Sequence, residues 1–285
     1  MLEILERVLR RYADRHRRSA VPLLAAAACA LGLALAGCSG SSAAAKAASP
    51  SLRSTYTLMQ MNLCLSGLAG CYRNKVDYPA VVQEAIARIR DAHPDAVTFN
   101  EACSRDVALI ARRTGYHLRF SKVIYYGRLL PCIKPGGRGL FGDAVLTKAA
   151  IRSSDSQPFE AQAGPEQRQW VCVRNVTGVE VCTAHLASHE RVEVVANDPQ
   201  CVELKALLAR RAAARTVIFG GDLNRRSSCA PPGFWTRTDR SAHQDPGLQQ
   251  VYGSAAFRSP SARIVPAIHT DHDVLLVRAY LSAQQ

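Results

Sequence analysis

From Thr55 onward, strand-length apolar runs alternate with stretches of helical period, and nearly every apolar run stops on a polar residue that a hydrophobic core has no use for. With no internal repeat and no compositional break, that alternation predicts a single α/β domain. Thr55 to Leu63 reads as a strand. Pro79 to His93 reads as a helix, with Val82, Ile86 and Ile89 at helical spacing and Pro79 near its start. Ala96 to Phe99 is a short strand, followed by a helix that Ser104 is placed to cap. Tyr116 to Tyr126 is strand-like, Lys134 to Gly142 is a basic glycine-rich loop, and Ala144 to Leu146 is a strand. Gln169 to Val176 and Val179 to His185 read as the arms of a hairpin about Thr177-Gly178. Gln200 to Ala213 is an amphipathic helix feeding the strand Thr216 to Gly220, and Val274 to Ala279 is the last strand.

The segment before Thr55 differs in kind. Arg10, Arg11, Arg15, Arg17 and Arg18 precede an uncharged run from Ser19 to Gly37 that is rich in Ala and Leu, the layout of an export signal. A transmembrane anchor is the competing reading, because Val21 to Gly37 approaches the roughly 20 apolar residues that cross a bilayer. The run ends in Leu35-Ala36-Gly37-Cys38, which resembles the bacterial lipoprotein box, whose cysteine becomes lipid-modified. Three segments are therefore expected: a lipoprotein-type export signal at 1–37, a flexible Ser/Ala-rich tether at 38–54, and a folded domain at 55–285. The protein would be extracytoplasmic, either secreted or held at the membrane through a lipid anchor on Cys38.

Cysteine usage agrees with export. Cys29 lies in the leader and Cys38 is the lipid site, which leaves Cys64, Cys71, Cys103, Cys132, Cys172, Cys182, Cys201 and Cys229. An even number in an oxidising compartment points to disulfides, although the sequence leaves their pairing open. Cys172 and Cys182 can face each other across the hairpin, and Cys64 with Cys71 would close a short loop. Cys103 with Cys132 and Cys201 with Cys229 are what remains. The 36 Lys and Arg against 23 Asp and Glu give +13; residues 1–37 hold six Arg and three acids, so the chain from Cys38 keeps 30 against 20, or +10. Such an excess attracts polyanions, nucleic acid and anionic lipid headgroups alike, and an ordinary soluble basic protein would also carry it.

Chemistry is legible at the strand ends. Asn62 closes Leu58 to Leu63, Glu101 closes Ala96-Val97-Thr98-Phe99-Asn100-Glu101, and His185 closes Val181-Cys182-Thr183-Ala184-His185. Asp222 and Asn224 follow Val217-Ile218-Phe219-Gly220-Gly221, and Asp271 with His272 precede the terminal strand. Singly, each is an ordinary turn or cap residue. Together they place an amide, an acid, a histidine, an Asp-x-Asn pair and an Asp-His pair where a rigid scaffold presents reactive side chains.

That order resembles the endonuclease/exonuclease/phosphatase superfamily, which includes deoxyribonuclease I, over about Thr55 to Leu281. Gly221-Asp222-Leu223-Asn224 and Thr270-Asp271-His272 are its most specific pieces, supported by Thr183-Ala184-His185-Leu186 and Phe99-Asn100-Glu101. Gly142-Asp143-Ala144-Val145-Leu146 resembles a further family segment in which Asn usually stands at the place of Asp143. The resemblance implies a four-layer α/β sandwich, two packed mixed β-sheets flanked by helices, with the site at one edge. It implies a divalent cation, Mg²⁺ with Mn²⁺ or Ca²⁺ as alternatives, held by Glu101 with Asn62 assisting. Asp222 would orient or deprotonate the attacking water, Asn224 would hold that geometry, and His185 and His272 would donate to the phosphoryl oxygens or act as general acid or base. Asp271 would orient His272 or bind metal. A histidine beside a carboxylate is expected to have a raised pKa.

Two features depart from the pattern or add to it. Val274 stands where the family commonly has Pro, and Asp273 adds an acid. Cys103 and Cys229 lie close behind Glu101 and Asn224, where disulfides would brace the site as well as the fold.

The implied activity is phosphodiester hydrolysis. For nucleic acid as substrate speak the net charge, the basic loop Lys134-Pro135-Gly136-Gly137-Arg138, and Arg225-Arg226 beside Asn224. A sphingomyelinase- or phospholipase-type lipid phosphodiesterase would need an apolar insertion hairpin, for which Val123-Ile124-Tyr125-Tyr126 with Leu129-Leu130 is the candidate. A phosphomonoesterase and a catalytically silent surface-binding protein complete the alternatives. The enzyme is expected to act as a monomer.

Overall fold

The structure, a computed structural model, describes residues 54–188 and 193–282. The expected export signal and all of the expected tether but Ser54 lie outside the described residues, and Ser54 already belongs to the first strand. Among the described residues no helix is long and apolar enough to cross a membrane.

Two six-stranded sheets carry the fold. The first has the order β14 (Phe257–Val265), β15 (Val274–Leu281), β1 (Ser54–Asn62), β2 (Ala96–Cys103), β6 (Phe141–Thr147) and β3 (His117–Lys122). The second has the order β12 (Trp235–Thr238), β13 (Gln249–Gly253), β11 (Thr216–Asp222), β10 (Val179–Ala184), β9 (Gln169–Asn175) and β7 (Ile151–Pro158). A small third sheet joins β5 (Arg128–Leu129), β4 (Ile124–Tyr125) and β8 (Glu166–Gln167).

Among the described residues four helices accompany the sheets: α1 (Gly70–Asn74), α2 (Ala80–Ala92), α3 (Ser104–Thr114) and α4 (Val194–Ala212). Val81, Val82, Ile86 and Ile89 of α2 and Val107 and Ile110 of α3 pack with Met59, Phe99 and Leu146 on the outer face of the first sheet. Leu204, Leu207 and Leu208 of α4 pack with Trp170, Phe219 and Tyr252 on the outer face of the second. Between the sheets lies an apolar layer that includes Leu58, Val145, Val171, Val181, Ile218, Val251 and Leu275. At about 1.5–3 kcal/mol for each fully buried aliphatic side chain, this layer and the two outer ones hold the four-layer sandwich together. Gly220 lets the sheets approach: a Cβ there would stand 2.6 Å from Thr98 Oγ1 and 3.0 Å from Leu58 Cδ2.

The pairing pattern explains where a site can form. Among the described residues only β1 with β2 and β10 with β11 run parallel. Parallel neighbours need a crossover, which α2 supplies in the first sheet and α4 in the second. The four strands therefore deliver their C-terminal ends to one edge of the sandwich, where α/β scaffolds bind ligands.

Several expectations need revision. Ser104 does not cap α3: the N-cap is Cys103, and Ser104 Oγ accepts Leu140 N–H at 3.0 Å. The helix expected from Gln200 begins at Val194 and contains Pro199. Asn197-Asp198-Pro199 reads as a helix breaker, but the Asn197 and Gln200 side chains fasten that turn to Ala187 and Leu223. The strand expected over Tyr116 to Tyr126 is broken into β3 and β4. The edge strands β7, β12 and β14 are polar and partly exposed, so they carry little of the alternation that sequence reading relies on.

All four expected disulfides form: Cys64–Cys71, Cys103–Cys132, Cys172–Cys182 and Cys201–Cys229.

Candidate functional site

Glu101, His185, Asp222, Asn224, Asp271 and His272 line one cavity of about 740 Å³ at the edge where the parallel strands end. Asn62 lies just beneath, 1% exposed. The sequence-predicted residues are thus brought together although they span 211 positions, from 62 to 272 inclusive. Two backbone features aim them. The register of β2 against β6 shifts between Phe99 and Ala102, and Glu101 adopts φ 53°, which turns its carboxylate toward the cavity. Asn224 adopts φ 50°, which folds it back over Asp222. Positive φ at non-glycine residues is strained and clusters at working sites.

Asp222 is the hub. Its Oδ2 accepts Asn62 Nδ2 at 2.9 Å and lies 3.6 Å from His272 Nε2, while Oδ1 accepts the Asn224 main-chain N–H at 2.9 Å. Asn62 Nδ2 also donates to Glu101 Oε1 at 2.9 Å, and Asn62 Oδ1 accepts Cys64 N–H at 3.0 Å. Asn62 therefore ties the two carboxylates together, and its own oxygen is engaged with the chain rather than turned to the cavity. His272 Nε2 is 3.9 Å from Asp271 Oδ2, and His185 Nε2 is 3.8 Å from Glu101 Oε1.

The two histidines are tuned in opposite directions. Burial works against charge on His272, but Asp222, Asp271 and Glu101 outweigh it and raise its pKa. Burial lowers the pKa of His185, and the Arg168 guanidinium lowers it further. The raised value expected for a histidine beside a carboxylate thus holds for His272 alone. Burial also acts on Asp222, but His272 and the hydrogen bond from Asn62 hold its carboxyl below the usual range. Glu101 is pushed up to about 7 by burial, opposed by Asn62 and reinforced by Asp271 and Glu166.

That crowding bears on a metal. Among the described residues, Glu101, Asp222, Asp271, Glu166, Glu193 and Asp245 face the cavity against two arginines, Arg168 and Arg226. Closely spaced hard oxygen ligands with a raised carboxyl pKa fit a divalent cation such as Mg²⁺. Glu101 and Asp271 would hold it. Asp245, Asp271 and His272 also bring one ligand atom each within 4.8 Å of one another.

Sequence reading missed several members. Arg168, 6% exposed, places Nη1 2.7 Å from His185 Nδ1 and pairs with Glu166 at 2.8 Å and Glu193 at 3.4 Å. Asn100 Oδ1 accepts Asp222 N–H at 2.8 Å, and its Nδ2 donates to Asp143 Oδ1 at 2.9 Å. Burial pushes Asp143 up to about 7. Asp239, fully buried and pushed up to about 6 by burial, interacts with His272 and accepts Gly247 and Gln249 main-chain N–H. It directly follows β12, a strand too polar to give a strand-end signal.

Other residues behave differently from expectation. Arg138 of the basic loop is buried, paired with Asp106 at 2.9 Å and stacked 4.6 Å from the Tyr78 ring centroid, so it organises the loop and is not offered to a substrate. Arg225 is tied to Asn197 Oδ1 and Asp198 Oδ1 at 2.9 and 2.7 Å; Arg226 alone of the pair lines the cavity. Asp273, the added acid, clamps the loops behind His272 by accepting His243 and Ala267 N–H.

The Endonuclease/Exonuclease/phosphatase family profile matches residues 59–278. No curated protein matches the chain. Among solved structures, the endonuclease/exonuclease/phosphatase from Beutenbergia cavernae is 19% identical, with a TM-score of 0.60 over 81% of this chain and 72% of that one. The human Nocturnin catalytic domain with bound sulfate is 15% identical, with a TM-score of 0.57 over 80% and 96%. Danio rerio TDP2 complexed with single-strand DNA product is 14% identical, with a TM-score of 0.53 over 79% and 99%.

Proposed function

The chain belongs to the endonuclease/exonuclease/phosphatase family of phosphoric ester hydrolases, and within it we propose an exported, divalent-metal-dependent phosphodiesterase that cleaves nucleic acid. The observation that carries the hydrolytic reading is the convergence of Glu101, Asp222, Asn224, His185 and His272 on one cavity, with Asn62 joining the two acids.

A hard divalent ion, when bound beside Glu101 and Asp271, polarises the phosphoryl oxygen and offsets its developing charge. The protein does the rest. Asp222 stays ionised and, gripped by Asn62 and the Asn224 main chain, is fixed to orient a water for attack on phosphorus. The raised pKa of His272 favours its cationic form, which suits a contact to the phosphoryl or leaving oxygen. Asn224 Nδ2, also held by Leu186 O at 3.0 Å, adds a neutral donor.

Several observations favour nucleic acid and export. The chain from Cys38 keeps an excess of ten basic residues, 30 against 20, and Arg226 stands at the cavity to meet a flanking phosphate. One structure of the same fold, that of Danio rerio TDP2, holds a single-strand DNA product. Val123 and Leu130 of the apolar segment are buried, so only Tyr126 and Leu129 project, which is little for bilayer insertion. The four disulfides suit an oxidising compartment, and with Cys38 they support a surface lipoprotein or secreted enzyme.

The test incubates the full-length oxidised protein with supercoiled plasmid and, separately, sphingomyelin vesicles, in Mg²⁺ or EDTA, beside Asp222→Ala. Nicking that needs both metal and Asp222 is expected. Turnover of sphingomyelin alone would move the substrate to lipid, and inertness toward both would return the phosphomonoesterase.

A further inference from the structure

The edge that holds the cavity and the edge opposite it differ in the sign of their charge. The cavity edge, where β1, β2, β10 and β11 end, is crowded with carboxylates. The same strands begin at the other edge, and α2 and α3 deliver their last turns there, α3 because it runs from the end of β2 to the start of β3. Arg90 in the last turn of α2 and Arg112 and Arg113 in that of α3 are exposed. Arg90 Nη2 donates to Arg113 O at 2.8 Å and joins the two helix ends. Lys148, just past the end of β6, is exposed beside them, its N–H donating to Asp95 O at 2.9 Å.

The first sheet extends this surface. Leu275, Val277 and Ala279 of β15 point into the layer between the sheets, so Arg278 and Tyr280 point outward. Arg258 of β14 stands opposite Tyr280, which stands opposite Thr55 of β1. A bulge makes that placement possible: the register shifts between Arg258 and Ser261, with Ser259 at φ 50°, which turns Phe257 inward and Arg258 outward. Arg237 donates to Pro260 O at 2.8 Å and holds the bulge. Among the described residues none of these six exposed cations forms an ion pair, whereas Arg138, Arg168, Arg211 and Arg225 each do. The neighbouring acids are Asp91 and Asp95, so six positive charges meet two negative ones, an excess of four.

The chain toward Cys38 leaves from this edge, since Ser54 opens β1 opposite Leu281. At no more than about 3.6 Å for each residue, the segment between Cys38 and Ser54 spans at most about 60 Å. An anchor that near makes docking of the edge intramolecular, so a weak contact suffices.

Resting on the reading of a phosphodiesterase held at a membrane through Cys38, we propose that this basic edge docks on a bilayer of anionic phospholipid and turns the cavity toward the surrounding solution. The arginines and Lys148 meet headgroup phosphates, and Tyr280, 43% exposed, sits at headgroup depth. Nucleic acid fits this edge less well. A strand bound here lies at the far end of β1 from Asn62, about 26 Å away at about 3.3 Å per residue, where it does not feed the cavity.

The test reconstitutes full-length oxidised protein into phosphatidylcholine vesicles with and without phosphatidylglycerol, labels exposed arginines with phenylglyoxal and maps them by mass spectrometry. With phosphatidylglycerol, labelling of Arg90, Arg112, Arg113, Arg258 and Arg278 should fall about threefold or more relative to Arg226 at the cavity. About 1 M NaCl, where the Debye length is about 3 Å, should restore it. Equal labelling on the two kinds of vesicle, or protection of Arg226 instead, would overturn the proposal. Protection by plasmid without vesicles, and none by phosphatidylglycerol, would give the edge to nucleic acid. Flotation with neutral vesicles tests the anchor separately: if it fails, that reading falls, and flotation with the anionic vesicles decides docking. Hydrolysis of bis(p-nitrophenyl) phosphate checks the catalytic reading, on which the labelling does not depend. Arg258→Gln combined with Arg278→Gln should leave that hydrolysis unchanged and raise labelling of Arg90, Arg112 and Arg113 on anionic vesicles about twofold or more. A folded variant that keeps full protection sinks the proposal, and if it does not fold the wild-type comparison of lipids and salt decides alone.

Discussion

His185 and His272 face one cavity from opposite sheets, yet their surroundings prepare them for different work. His185 follows β10 of the second sheet and abuts a buried cation, Arg168; His272 precedes β15 of the first sheet and stands among Asp222, Asp271 and Glu101. Burial is similar, 6% and 7% exposed. The difference is therefore the sign of the neighbouring charge, which depresses one pKa and raises the other. Two histidines that look alike in the sequence come to disfavour and to favour the charged form.

Removing their common neighbour should have the largest effect. Asp222→Asn keeps the shape but loses the charge that orients water and supports His272. We expect kcat/KM for plasmid or bis(p-nitrophenyl) phosphate to fall about 10³-fold. A loss under tenfold would mean that Asp222 is structural. The next test separates the histidines. The folded pKa of His272 is raised above 6.5, so its cationic form persists past pH 6.5 and is lost as pH rises through the raised value. At saturating Mg²⁺ the wild-type rate should therefore fall on the alkaline side. His272→Gln should remove that limb and cost about 10²-fold. His185→Gln replaces one neutral donor with another and should cost about tenfold, keeping the limb. Equal pH profiles in both variants would erase the distinction.

A smaller effect should come from behind His185. Asn197 on α4 donates to Ala187 O at 2.5 Å and Leu223 O at 3.0 Å, fastening the segments that carry His185 and Asn224. Asn197→Ala leaves these buried carbonyls unpaired, at about 1–3 kcal/mol of stability. It should lower kcat on the order of tenfold by loosening alignment, without shifting the alkaline limb. A shifted limb would show that the two corners are coupled.

Legibility followed the same division. Asn62, Glu101, His185, Asp222, Asn224, Asp271 and His272 were visible because each closes or precedes an apolar strand, so periodicity and polarity change together at that residue. The two-sheet sandwich followed from the family resemblance, with the central strands legible in their own right. Arg168 was not legible. It lies in a polar stretch, Glu166-Gln167-Arg168-Gln169, where a buried arginine looks like any exposed one until the carboxylates of Glu166 and Glu193 are seen around it. The reverse happened at Arg138 and Arg225, which read as phosphate contacts and are consumed by Asp106 and Asp198. Charge composition reports which residues exist, and only tertiary pairing reports which remain available.

Asp143 offers the mildest test, because it supports Glu101 by accepting its main-chain N–H and feels His185's corner only through Glu166 and Arg168. It is 3% exposed, accepts Asn100 Nδ2, and occupies the place where the family resemblance expects Asn. Burial raises its folded pKa to about 7 from 3.8, so between those values the folded state holds a proton that the unfolded state has released. Its contribution therefore favours folding at low pH, weakens as pH rises through that window, and is flat above about 7. Asp143→Asn keeps the acceptor oxygen for Asn100 and removes the buried charge. In EDTA at pH 8 the variant should melt higher than wild type, at about 2–4 °C for each kcal/mol gained, and the gap should close as pH falls toward 4. The activity ratio between the His185 and His272 variants should be the same in this background. A gap that persists at pH 4 would mean that the substitution acts through packing rather than charge, and a changed ratio would place Asp143 inside the electrostatic division that separates the two histidines.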